Sequence, residues 1–308
     1  MSLYRNTVWL LKGLQEYTKG GYEAAARSFS EADLEVNVSG RSFIITGANS
    51  GIGKAAACEI AKRGGTVHLV CRNEDRANEA RKDIVERCKN EVHFCSYRPS
   101  CLLRVGCSAF STINNAGCMV NQRELTEDGL EKNFATNTLG TYVLTTALIP
   151  TLKKSENPRV ITVSSGGMLV QKLNVEDLQF EKGSFDGTMA YAQNKRQQVI
   201  MTEQWAAQHK EIHFSSMHPG WADTPAVQSS MPDFHAKMKN KLRTEAQGAD
   251  TVVWLAISDA ASRQPSGLFF QDRKAVSTHL PLASSRSSPA EEQKLMSKLE
   301  ELAVKFKC

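Results

Sequence analysis

Apolar runs of about five residues alternate along the chain with longer stretches of helical spacing. Residues 42–46, Ser-Phe-Ile-Ile-Thr, read as a short buried strand. A glycine turn follows, then an Ala-rich helix over about 52–63, which Gly64 and Gly65 end. Residues 66–70, Thr-Val-His-Leu-Val, read as a second strand. This strand–helix–strand unit opens a doubly wound parallel sheet. Helical spacing predicts further helices over 74–89, 129–154, 189–209 and 244–257, and strands over 159–164, 212–217 and 267–270. The repeated alternation predicts one α/β domain, a Rossmann-type doubly wound parallel sheet spanning 40–280. In the tail, Ser288 as cap, Pro289 at the first helical position and Glu291 three residues on mark a last helix. The Ser-rich stretch 281–288 reads as a flexible link to it, so 281–288 and that helix form a C-terminal unit, 281–308. Residues 3–29 read as an amphipathic helix with aromatic side chains among Arg5, Lys12, Lys19 and Arg27, within an N-terminal extension, 1–39.

Composition narrows the classes. A chain of 308 residues, 41% hydrophobic and 23% charged, buries an ample core. A net charge of +5 without a Lys/Arg block or basic-aromatic stripe argues against a nucleic-acid partner. Eight cysteines without paired spacing read as reduced thiols of an intracellular protein, cytoplasmic, organellar or membrane-associated, and not secreted. Cys95, Cys101 and Cys107 recur every six residues, but no Cys-x-x-Cys supports a metal. No apolar run approaches the ~20 residues that span a bilayer. Val8-Trp9-Leu10-Leu11 is too short for a signal-peptide core, so the N-terminal segment offers membrane-surface contact or packing on the domain.

The candidate chemistry sits at two ends of this pattern. After the first strand comes Thr46-Gly47-Ala48-Asn49-Ser50-Gly51-Ile52-Gly53. Gly47 permits a tight turn, Gly51 and Gly53 let backbone approach a pyrophosphate, and the helix start supplies amide donors. At the end of the second strand stands Arg72, where an acidic residue would take the ribose hydroxyls of NAD. A guanidinium there pairs with a 2′-phosphate, which favours NADP(H) over NAD(H). Farther on, Tyr191 and Lys195 lie at i and i+4, on one helix face. A phenol ordinarily titrates near ~10, and a neighbouring cation is expected to lower that toward working pH.

Together with Asn114-Asn115-Ala116-Gly117, Asn137 and Ser165, these motifs resemble the short-chain dehydrogenase/reductases from about residue 40 to 272, most nearly the retinol-dehydrogenase-like branch. The resemblance implies a carbonyl/alcohol oxidoreductase using NAD(P), acting on an apolar or lipid-like small molecule. It implies that Tyr191 is the acid or base, and that Lys195 binds the nicotinamide ribose. Ser165 would bind the substrate oxygen. Asn137 would kink its helix and hold a proton-relay water. Asn114, Ala116 and Gly117 would support the sheet and the cofactor-side wall, and Pro219, Gly220 and Thr224 would contact the nicotinamide. Residues 225–243, with Met231, Phe234, His235 and Met238, would form the lid. His218 reads as structural. The helices 129–154 and 189–209 could pack across a two-fold axis, as in dimeric relatives.

One segment departs from the pattern. Between the third strand and Asn114 the fold needs roughly thirty residues, and 91–113 supplies 23. Pro99 interrupts any helix over 96–106, no aspartate closes the third strand, and 107–113 is a weak strand candidate. We therefore expect 91–112 to be atypical, with a lost helix, a weakened strand and a distorted adenine pocket. That expectation motivates a second reading, a catalytically impaired chain that binds cofactor or a protein partner without turnover.

Overall fold

A computed structural model describes residues 2–90, 92–96 and 109–306. Among these, β1 (Arg41–Thr46), β2 (Thr66–Cys71), β3 (Val92–Ser96), β4 (Ala109–Asn114), β5 (Arg159–Val163), β6 (His213–His218), β7 (Phe269–Gln271) and β8 (Lys274–Ala275) form one sheet. Their order is β3-β2-β1-β4-β5-β6-β7-β8, parallel throughout except for β7 with β8. The helices are α1 (Ser2–Lys12), α2 (Lys19–Ala26), α3 (Gly51–Lys62), α4 (Glu74–Cys88), α5 (Gly140–Leu152), α6 (Gly187–Gln208), α7 (Pro225–Ser230), α8 (Pro232–Met238), α9 (Glu245–Ile257) and α10 (Pro289–Ala303).

The apolar run of β1 is continuous because both sheet faces are covered. Phe43 and Ile45 face α3 and α9, where Ile60 and Val253 pack. Ile44 faces the opposite layer, with Leu148 of α5 and Met201 of α6. Chain order reverses between β1, which pairs β2, and β4, which pairs β5. The strand ends at such a reversal diverge into a crevice, and ligands of open α/β sheets bind there.

Several expectations are corrected. The N-terminal segment is two helices joined by a π-helical turn, Gly13–Tyr17, not one helix over 3–29. Thr18 turns to extended backbone and caps α2, and a Cβ at Gly13 would lie 2.3 Å from Trp221 Cζ2. The helix expected from 129 starts at Lys132, because Gly129 takes φ +75° in a turn. The buried Glu131 carboxylate then caps it, accepting from Asn133 N (2.9 Å) and Phe134 N (2.7 Å). Residues 281–288 are irregular but pinned: Arg5 donates to Ala283 O at 2.8 Å and to Ser284 O at 3.2 Å.

The strand after the atypical segment is not weakened. β4 pairs β1 from Arg41↔Ala109 to Ile45↔Ile113 and pairs β5 on its other edge, with Ile113 fully buried. The expected loss of a helix falls on residues 97–108, which lie outside the described residues.

Candidate active site

The glycine turn at the end of β1 has the backbone its sequence demands. Gly47 and Gly51 take φ of +65° and +59°, the left-handed region that glycine enters without steric cost. Ser50 is the N-cap of α3 without a side-chain cap, so no side chain of its own covers the first amides. Asn49 and Ile52 flank this opening, half-buried. A Cβ at Gly53 would lie 2.4 Å from Asn115 Nδ2. Asn115 is the residue that ties the turn to β4: its Nδ2 donates to Thr46 O (2.9 Å) and Gly47 O (3.3 Å). Thr46 Oγ1 in turn accepts from Asn115 N and Ala116 N, both at 2.9 Å. Asn114 Nδ2 donates to Thr145 Oγ1 at 2.9 Å, tying the end of β4 to α5. The period of two along a strand sends neighbouring asparagines to opposite faces, which is the signal that separates them.

Gly117 carries the wall onward. A Cβ there would lie 3.1 Å from Asn137 Oδ1 and 3.6 Å from Lys195 Nζ. Asn137 lies in a π-helical turn, Ala135–Leu139, that interrupts the α-helical hydrogen-bond pattern. Its amide is spent on Cys118, accepting from N and donating to O, both at 2.8 Å. Ser165 follows β5 and caps a short 3₁₀ turn, accepting from Gly167 N at 3.1 Å. The preceding Ser164 Oγ donates to Lys195 O at 2.8 Å, fastening the end of β5 to α6 at the lysine.

Tyr191 and Lys195 share one face of α6, with Nζ 5.3 Å from the tyrosine ring centroid. Nζ donates to Val163 O (2.9 Å) and Gln198 Oε1 (3.0 Å). Burial lowers Lys195 from 10.5 to about 7, and the nearby Cys118 thiol opposes that shift only weakly. Burial pushes the Tyr191 phenol well above its ordinary value, again with Cys118 as the lesser cause. Burial is the first cause of both shifts, and it penalises the charged form of each group.

Beyond β6, Gly220 takes φ +76°, and a Cβ there would lie 2.2 Å from Arg243 Nε. Thr224, on the same loop after Pro219, caps α7 and approaches Gly51, whose Cβ would lie 3.5 Å from Thr224 Cγ2. His218 is structural, as expected: its Nδ1 accepts from Gly166 N at 2.8 Å and burial holds it well below its ordinary range. Arg72 is exposed at the end of β2 and makes no ion pair among the described residues. The segment expected as a lid holds α7 and α8, and its Phe234 and Met238 pack on Tyr17, Trp221 and Leu242. Tyr17 reaches this layer from the N-terminal segment, with its ring centroid 4.3 Å from that of His218. Nothing in the local sequence around Tyr17 signals that placement.

A dinucleotide fits this cradle. The turn lacks side chains where backbone must approach a phosphate, Thr224 converges on Gly51, and Lys195 keeps one donor beyond the two it has spent. Among the described residues no His/Cys/Asp/Glu group could hold a metal ion.

The sequence pattern of the short chain dehydrogenase family matches residues 41–98 and 111–234. The chain is 63% identical over 317 residues to dehydrogenase/reductase SDR family member 12 of Homo sapiens, covering 100% of both proteins. It is 32% identical over 224 residues to retinol dehydrogenase 13 of Mus musculus, covering 68% of this chain and 64% of that protein. Among solved structures, it resembles a short chain dehydrogenase from Escherichia coli complexed with NADPH at a TM-score of 0.61. That likeness has 22% identity, covers 80% of this chain and 100% of the other, and speaks to the fold.

Proposed function

The chain belongs to the short-chain dehydrogenase family, and on that premise we propose that it interconverts a carbonyl and an alcohol with NADP(H) on an apolar or lipid-like small molecule. The observation that carries this reading is the convergence of Gly117, Asn137 and Lys195 one helical turn from Tyr191. The Ser165 hydroxyl and the Tyr191 phenol would donate to the substrate oxygen and stabilise the charge that develops on it. Tyr191 would then give that oxygen its proton. Burial raises the phenol above its ordinary value, so the phenol is the proton donor in reduction and its conjugate base the acceptor in the reverse direction. Lys195 would use its remaining donor to hold a ribose hydroxyl. Gly47, Gly51 and Gly53 would admit the pyrophosphate, while Ala116, Gly117, Pro219, Gly220 and Thr224 would frame the nicotinamide. The nicotinamide cofactor supplies the hydride.

Arg72 supports NADP(H) over NAD(H), and the Escherichia coli relative was crystallised with NADPH. The apolar lid layer of Trp221, Phe234 and Met238, and the likeness to a retinol dehydrogenase, support an apolar substrate. We further propose a homodimer on the strength of family membership, with an interface other than the α5/α6 face that α10 covers, and contact with a membrane surface through α1. No described helix is long and apolar enough to cross a membrane, but Leu3, Leu10 and Leu11 of α1 are exposed.

The test is NADPH oxidation against a panel of apolar aldehydes and ketones, with Tyr191→Phe as control. Turnover that survives Tyr191→Phe would reject the tyrosine mechanism. A second reading, cofactor or partner binding without turnover, is motivated by the family match leaving 99–110 uncovered. NADPH binding without oxidation across the panel would favour it.

A further inference from the structure

Asn137 and Lys195 are joined through a single side chain. Gln198 is fully buried; its Nε2 donates to Asn137 O at 2.6 Å, and its Oε1 accepts from Lys195 Nζ at 3.0 Å. Chemistry permits only this orientation of the amide, since an ammonium only donates and a peptide carbonyl only accepts. The same Asn137 carbonyl accepts from Thr141 Oγ1 at 2.9 Å. Two side chains thus donate to this one carbonyl. Val163 O takes a second donor of Lys195 at 2.9 Å.

We propose that Gln198 is a positioning residue for the reaction, its amide linking the Lys195 ammonium to the Asn137 carbonyl where a bound water would otherwise be needed. The catalytic meaning of this rests on the reading above; the linkage itself does not. A water in that place could pass a proton from one neighbour to the next. An amide can bond both neighbours, but it cannot hand a proton on without losing its resonance. Lys195 is thereby fixed from the π-helical turn and closed to proton exchange on that side. A proton given by Tyr191 must be replaced from the open side of the site. The amide oxygen also favours the charged form of Lys195 against burial. The other titratable groups facing Nζ are Tyr191 on α6 and Cys118 from the segment after β4.

The test compares wild type with Gln198→Ala and Gln198→Met, the first making room for water and the second filling the space without a polar group. Crystal structures of both, with and without NADPH, are expected to show no water between Nζ and Asn137 O in wild type, and one in Gln198→Ala. A wild-type structure with Gln198 swung away and a water in its place would overturn the proposal. Thermal unfolding at pH 6 and pH 9 gives a second readout. Burial lowers Lys195 to about 7, so the Tm deficit of Gln198→Met is expected to be larger at pH 6 than at pH 9. An equal deficit at both would mean that Gln198 only packs. Where wild type oxidises NADPH, Gln198→Met is expected to lower kcat about tenfold with KM little changed. If wild type shows no turnover, the oxidoreductase reading fails, while the structures and the pH dependence still decide the role of Gln198.

Discussion

Arg243 and Asp272 form a buried, two-pronged ion pair: Nη1 meets Oδ1 at 2.6 Å and Nη2 meets Oδ2 at 3.0 Å, with the side chains 1% and 7% exposed. The same guanidinium donates to Glu16 O (2.6 Å) and Tyr17 O (3.1 Å), the last carbonyls of the N-terminal π-helical turn. It fills the space that Gly220 leaves by having no side chain. The clamp thus joins the N-terminal segment, the loop after β6 and the β7–β8 turn. Asp272→Ala would leave a guanidinium buried without its counter-charge, and about 3–5 kcal/mol of stability is expected to go with it. Urea unfolding reads that loss; a change below about 1 kcal/mol would show that the clamp carries little.

Tyr191→Phe removes the proton that the substrate oxygen takes and little else. We expect kcat to fall by about 10²–10⁴-fold, with NADPH affinity unchanged by fluorescence titration. A matching loss of affinity would mean that the phenol serves binding instead.

Arg72→Ala tests cofactor choice. Charge-assisted hydrogen bonds contribute about 1.5–3 kcal/mol, so the Kd for NADPH is expected to rise about tenfold or more while that for NADH stays nearly level. Equal weakening of both would remove Arg72 from 2′-phosphate recognition.

Glu203 on α6 supplies a pH dependence. Burial, reinforced by Glu292 and opposed by Arg196, raises its carboxyl from 4.5 to about 7. The folded protein then holds this proton more tightly than the unfolded chain. The stability it contributes is full below pH ~4.5 and is lost as pH rises through about 7. Glu203→Gln is expected to raise stability by about 3 kcal/mol at pH 8 and to change little at pH 4.5. Urea unfolding at the two pH values checks this; an equal gain at both would assign the effect to packing.

The exposed leucines near the N-terminus give the membrane proposal a direct test. Leu10 and Leu14 are 47% and 43% exposed and stand near Leu3 on one side of the segment. The double substitution Leu10→Glu and Leu14→Glu is expected to reduce co-sedimentation with anionic phospholipid vesicles several-fold. Wild type that stays in the supernatant at low salt would end the proposal.

Much of the fold was legible along the chain. β1, α3 and β2 appear where period and glycine punctuation place them, as do α6, α9 and the capped α10. Those signals are local: a strand run, a helical spacing or a capping box needs only neighbours in sequence. The expected weakening of β4 was misplaced because strand propensity counts for less than pairing on both edges. Asn115 was passed over for Asn114 because the role of each depends on which face its side chain takes.

The sequence by itself determined the strand–helix alternation of the doubly wound sheet, the glycine turn after β1, and the Tyr191–Lys195 pair, since each is set by spacing within a few residues. Tertiary structure decided that burial lowers Lys195 and raises Tyr191, that Gln198 joins Lys195 to a carbonyl 61 residues away, and that Tyr17 packs beside His218. Those outcomes depend on burial and on contacts between distant segments, and a charge responds to the medium around it as much as to the residue beside it.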